Sequence, residues 1–262
     1  MTRVISMLNF KGGTGKTTTV VNLGMGLALR GLRVLAIDLD PQGGVAGWLG
    51  TPYERTLADV LLGEAEWLDC IVRARVRFDI IPADRRLADA EHVLVEQQVA
   101  PDLLRRRLEG IEEAGYDYIL LDCAPSVSFL SECALHFAQE VFVPVSMEYL
   151  ALIGAREVII EVLRARRLAG GQAAHVSLVI PSLYVERHIK SRETLKLLRD
   201  HFPGMVSSPI RATVRLSEAP SHQLTIFEYD PDGAGSQDFA QLAAEVINGR
   251  ERIGSSEAIS AR

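Results

Sequence analysis

The chain alternates short, uninterrupted apolar runs with longer segments of helical periodicity. Runs at 3–9, 33–38, 78–82, 117–122, 140–145, 175–181 and 206–210 predict strands. Most show no polar–apolar alternation, which is the pattern of strands covered on both faces. Helical patterns lie between them at 17–30, 56–63, 85–114, 126–138, 151–169 and 190–201, with a last one at 236–248. This repeated order predicts an α/β fold: a mainly parallel, twisted sheet with helices on both faces. Residues 1–248 are expected to form that single domain. The small, polar segment 249–262 is expected to be a disordered tail.

Ligands of such sheets bind beyond the carboxyl ends of the strands, and three stretches place chemistry there. The apolar run Val4-Ile5-Ser6-Met7-Leu8 leads into Lys11-Gly12-Gly13-Thr14-Gly15-Lys16-Thr17-Thr18, after which a helix begins. Strand, glycine-rich loop and helix make a phosphate-binding loop, the mark of a P-loop NTPase. Its backbone N–H groups wrap the phosphates, Lys16 reaches the terminal ones, and the Thr17 hydroxyl goes to Mg²⁺. The helix N-terminus adds partial positive charge. Phe10 stands where the usual loop has a glycine, and a second lysine, Lys11, fronts the loop. Within one subunit Lys11 is either a surface lysine beside a turn or a cation acting in trans on a partner's nucleotide, as an arginine finger does.

Two acidic strand ends complete the candidate site. Tyr118-Ile119-Leu120-Leu121-Asp122 closes on an aspartate suited to the magnesium shell. Strand alternation puts Asp38 and Asp40 on one face. One of that pair can order the metal shell while the other positions the attacking water, or the two can simply close the strand.

Composition narrows the class. The net charge of −6 argues against a protein coated in basic surface, and three cysteines (Cys70, Cys123, Cys133) without a CxxC pair fit a reducing, cytoplasmic setting. No apolar stretch is long enough to span a bilayer, and the tail lacks the basic amphipathic stripe of a membrane-surface helix, so no membrane partner is expected. Charge is uneven, however. Arg187, Lys190, Arg192, Lys196, Arg199, Arg211 and Arg215 face only Glu186, Glu193 and Asp200 between Ser182 and Arg215, giving +4 there and −10 elsewhere. Charge alone leaves two readings, a polyanion footprint or a solvated helix face.

Taken together, the loop, Asp38-Leu39-Asp40-Pro41-Gln42-Gly43 and Asp122-Cys123-Ala124-Pro125-Ser126 resemble the deviant Walker A ATPases of the ParA/MinD superfamily. Val214-Arg215-Leu216-Ser217-Glu218-Ala219-Pro220-Ser221 is similar to the ParA/Soj partition branch. Pro144-Val145, Glu148-Tyr149-Leu150-Ala151-Leu152 and Tyr229-Asp230-Pro231 add to the likeness, which covers roughly residues 3 to 248. The chain departs from the pattern at Ala124, where the family usually has a second proline, and at Cys133, where it has an asparagine.

The resemblance implies ATP and Mg²⁺ as cofactors and slow, partner-stimulated hydrolysis. Lys11 resembles the signature lysine that contacts ATP across a nucleotide-sandwich homodimer. Gly12, Gly13, Thr14, Gly15, Lys16, Thr17 and Thr18 resemble its nucleotide contacts, with Thr17, Asp38 and Asp122 around the metal. Asp40 resembles the carboxylate needed for hydrolysis and joins Lys11 and Lys16 as a catalytic residue. Arg187 and Arg215 sit where Soj-like proteins carry arginines for sequence-independent binding of double-stranded DNA, and Lys190 and Arg192 belong to the same basic segment. The implied protein is a nucleoid-associated dimerisation switch, stimulated by a ParB-like or cargo-adaptor partner, that partitions or positions a cargo. The alternatives are a MinD-like spatial regulator and a small-molecule kinase or ligase on the same fold.

Overall fold

Strands β1 (Arg3–Met7), β2 (Val34–Leu39), β3 (Val72–Arg75), β4 (Phe78–Ile81), β5 (Tyr118–Cys123), β6 (Glu140–Ser146) and β7 (His175–Ser182) form one sheet in the order β3-β4-β2-β5-β1-β6-β7. The computed structural model that shows this describes residues 2–147, 151–171 and 173–260. Every pairing is parallel except that of the edge strand β3 with β4. The helices are α1 (Lys16–Ala28), α2 (Gly44–Leu49), α3 (Leu57–Leu62), α4 (Arg86–Glu96), α5 (Leu103–Arg107), α6 (Phe129–Phe137), α7 (Ala151–Leu168), α8 (Ile189–His201), α9 (Val214–Glu218), α10 (Ile226–Tyr229) and α11 (Ala234–Ser260).

They cover the sheet on both faces, as the uninterrupted apolar strands require. On one side Ile5, Ala36 and Leu120 pack against Val20 and Leu23 of α1 and Phe239 and Leu242 of α11. On the other, Val4, Ile37 and Leu121 meet Leu61 of α3, Ala134 of α6 and Val158 of α7. Helix α1 lies very close to the sheet: a Cβ on Gly24 would come within 2.6 Å of the Phe78 ring.

Two predicted elements need correction, and several short elements had no prediction. The helix expected over 85–114 breaks after α4, because Gln98 takes a left-handed φ of 53° and Pro101 cannot continue the hydrogen-bond ladder. Run 206–210 makes only an isolated bridge, Val206 to Val179, and Pro209 within it has no N–H to donate. Strand β3 (Val-Arg-Ala-Arg) and helices α2, α9 and α10 were not foreseen: the strand is a short, polar edge and the helices are only four to six residues long. Helix α11 spans Ala234–Ser260. Residues 148–150, part of the family likeness, lie outside the described residues, and so do 261–262 of the tail.

Candidate nucleotide site and basic face

The strand register brings the expected acidic residues together. Met7 pairs with Asp122 across β1–β5, and Asp122 pairs with Asp38 across β2–β5. The end of β1, which leads into the phosphate loop, and both carboxylates therefore occupy one row at the carboxyl end of the strands.

In the loop, Gly13 and Gly15 have φ values of 71° and 87°, left-handed geometry that side-chain-bearing residues rarely adopt. Gly15 caps α1, so the helix begins at Lys16 with its free N–H groups facing the loop. Lys16 is buried, and its Nζ donates to Asn9 O at 3.0 Å, folded back on the loop it serves. Burial lowers the pKa of that ammonium, against the pull of Asp122. Gly12 is exposed, whereas Lys11 is partly buried at the front of the loop.

Two neighbouring strands brace the loop, through two residues that escaped the sequence reading. Asn9, 2% exposed, donates from Nδ2 to Pro144 O of β6 at 2.7 Å and accepts the Lys11 N–H on Oδ1 at 3.0 Å. Ser182 at the end of β7 donates to Thr14 O at 2.7 Å. Only the tertiary pairing reveals these roles, although Asn9 two residues before Lys11 is a readable turn signal.

The Thr17 hydroxyl donates to Asp122 Oδ2 at 2.7 Å, while buried Asp122 Oδ1 has no hydrogen-bond partner. An orphaned carboxylate oxygen beside a hydroxyl suits a magnesium ion whose remaining ligands are phosphate and water. Burial and the Asp40 charge push the Asp122 carboxyl up to about 7, against the Thr17 bond and Lys16. Asp38 is fully buried and also raised, by burial and then by Asp122. Both of its oxygens are occupied: Oδ1 accepts the Asp40 N–H and Oδ2 the Val45 N–H, each at 3.0 Å. Asp38 thus shapes the turn that carries Asp40. Asp40 itself is partly exposed, and its Oδ1 accepts the Gln42 N–H at 2.9 Å.

A cleft of about 410 Å³ opens beside the loop, lined by Gly15, Thr18, Ser182, Leu183, Ile210, Ala212, Thr213, Val214 and Ser217 among others. Leu183 sits there at a φ of 55°, an uncommon conformation of the kind that concentrates at functional sites. Ala212 and Thr213 also line a second groove, with Tyr184, Glu186, Arg187, Arg192 and Arg211. The two clefts share that dipeptide as a wall. Arg187, Lys190, Arg192 and Arg215 are all exposed. Arg215, on α9 two residues after Thr213, leans over Tyr229 and pairs loosely with Glu218 at 3.4 Å. Arg211 is different: Asp238 holds it at 2.6 Å, so its charge is already neutralised.

Comparisons with known proteins place this geometry in a family. A model of an AAA domain matches residues 2–169. The chain is 41% identical over 256 residues to the chromosome partitioning protein ParA of Caulobacter vibrioides, covering 95% of each chain. It is 37% identical over 251 residues to the sporulation initiation inhibitor protein Soj of Bacillus subtilis, covering 94% of this chain and 98% of that one. Among solved structures, cobyrinic acid a,c-diamide synthase from Mycobacterium smegmatis, with bound ATP analog and magnesium, superposes with a TM-score of 0.81 at 28% identity, covering 96% of both chains. Loop, acidic row, fold and full-length likeness agree, and the chain belongs to the ParA/MinD superfamily of P-loop partition ATPases.

Proposed function

We propose that this protein is an ATP-driven dimerisation switch that binds DNA without sequence preference and partitions or positions a cargo. The observation that carries this reading is the shared Ala212–Thr213 wall, by which a nucleoside-sized cleft adjoins a basic groove. A nucleotide would lay its phosphates on Gly12–Thr18, with Lys16 on the terminal ones and its nucleoside in the cleft. Thr17 and Asp122 would hold Mg²⁺, which neutralises phosphate charge, and Asp38 supports them from the next strand. Lys11 reaches the nucleotide of a second copy, so ATP favours the homodimer. Asp40 orients the attacking water.

Dimerisation doubles the phosphate contacts available from Arg187, Lys190, Arg192 and Arg215, so duplex DNA prefers the ATP dimer. Hydrolysis, stimulated by a ParB-like or adaptor protein, releases the track and leaves the protein nucleoid-associated only while ATP is bound. Among the described residues no helix is long and apolar enough to cross a membrane, which gives a membrane-spanning reading no support.

Binding of Asp40→Ala protein to random-sequence duplex DNA, with ATP and with ADP across a salt series, tests the switch. ATP-dependent binding that weakens steeply with salt is expected; equal binding with both nucleotides, or none, overturns it. The likeness to a diamide synthase supports a second reading, an ATP-dependent ligase. That reading gains if ATP turnover requires a small carboxylic acid and an amine donor and DNA has no effect.

A further inference from the structure

One side chain joins the end of helix α2, which follows the Asp40 turn, to the segment that follows the Arg215 helix, and neither site uses it directly. Arg75 ends the edge strand β3, and only 20% of its side chain is exposed. Its Nε donates to Glu228 Oε1 at 2.6 Å, Nη1 to Leu49 O at 3.3 Å and Nη2 to Gln223 O at 2.8 Å. Leu49 is the last residue of α2, which starts immediately after the turn pinned by Asp38. Gln223 closes the turn 219–222 that continues directly from α9. Glu228 lies in α10 and caps that helix by accepting the Thr225 N–H at 2.8 Å.

A second bond runs parallel to this one. Trp48 of α2 donates from Nε1 to Leu224 O at 2.8 Å. The two segments also touch closely: a Cβ on Gly50 would stand 2.4 Å from Gln223 Oε1. Gln223 takes a φ of 58°, a conformation that persists only where neighbours enforce it. A planar guanidinium spread over three segments holds them in fixed relation, and close-packed elements move as bodies rather than deforming.

The geometry points to Arg75 as a positioning residue that transmits the state of the Asp40 turn to the Arg215 face. This rests on the switch reading above and supplies its internal linkage. Asp38 fixes the N–H groups at both ends of the turn, so a rearrangement around Asp40 moves α2. Arg75 and Trp48 pass that movement to 219–224, and α9 carries it to Arg215. The role also accounts for β3, which stands outside the parallel order of the sheet yet brings Arg75 to this junction.

The test uses the full chain, wild type against Arg75→Gln, with Trp48→Phe as a second variant that removes the indole N–H donor together with part of the buried ring. Amide hydrogen exchange is compared in ADP and in ATP over 40–49 and over 219–224, a segment that does not line the nucleoside cleft. In the wild type, ATP should change protection in both segments; in each variant the change at 219–224 should vanish while that at 40–49 stays. DNA titration in parallel should show the ATP-to-ADP affinity ratio falling about tenfold with nucleotide affinity unchanged. A nucleotide effect at 219–224 that survives Arg75→Gln, or a wild-type effect confined to 40–49, overturns the linkage. Failure of the switch reading shows separately, as wild-type DNA binding that ignores the nucleotide.

Discussion

Asp38 and Asp122 stand side by side across the β2–β5 ladder, both buried, with the unpartnered Oδ1 of Asp122 as the one unsatisfied oxygen of the pair. Two carboxyls so placed cost stability when both ionise, and burial pushes each of them up. A divalent cation bound at Asp122 offsets that cost, which is why so unfavourable a pair is useful beside a phosphate loop.

Asp122→Asn protein should therefore lose most of the stabilisation that Mg·ATP confers. For the wild type at a hundred times Kd, that gain is about 2.7 kcal/mol. Thermal unfolding with ATP, with and without magnesium, measures it. An undiminished magnesium-dependent rise in Tm for the variant would remove Asp122 from the metal site.

Asp40 combines an uncommitted oxygen with access to solvent, which buried Asp38 and Asp122 lack. Asp40→Ala should bind ATP as tightly as the wild type while kcat falls about 10²–10⁴-fold, the range for loss of a positioned general base. Equilibrium nucleotide binding and single-turnover hydrolysis separate the two effects. Loss of ATP affinity instead would make Asp40 a binding residue.

How much of this was legible in the chain depends on whether the signal was local. The loop reads directly because its chemistry dictates glycines at 12, 13 and 15 and a lysine at 16. Asp38 and Asp122 read as strand ends, but only the register reveals that they are partners, and only the Asp40 and Val45 N–H groups show Asp38 working on the turn. The bonds from Asn9 to Pro144, Ser182 to Thr14 and Arg75 to Leu49 span 135, 168 and 26 positions, which periodicity cannot encode. Arg211 shows the opposite failure: it counted towards the basic segment, yet Asp238 neutralises it.

The exposed basic residues give a quantitative expectation. If Arg187, Arg192 and Arg215 each meet a phosphate, replacing any one with alanine should weaken binding to all duplex sequences alike. It should also make the slope of log K against log salt shallower by about 1. Arg211→Ala should change that slope little, because Asp238 already occupies its guanidinium, and should instead lower stability. Equal slope changes for Arg211 and Arg187 would show that the pairing with Asp238 does not persist on DNA.

The opposite edge of the sheet supplies a prediction about stability that does not depend on function. Arg3 and Glu140 form a two-bond pair at 2.7 and 2.8 Å, with only 11% and 6% of their side chains exposed. Burial alone would raise the Glu140 carboxyl, but the Arg3 bonds and charge outweigh it and hold the group below its ordinary value of 4.5. Since the folded value lies below the unfolded one, the folded state binds fewer protons and stability increases with pH across that interval. The contribution is complete above the ordinary value and is lost as pH falls through the folded one. Glu140→Ala leaves the Arg3 charge buried without its partner, so it should cost about 3–5 kcal/mol near neutral pH. Denaturant unfolding between pH 7 and pH 3 should show the gap between wild type and variant closing below about pH 4. A gap independent of pH would mean that Glu140 stabilises the edge by packing rather than by its charge.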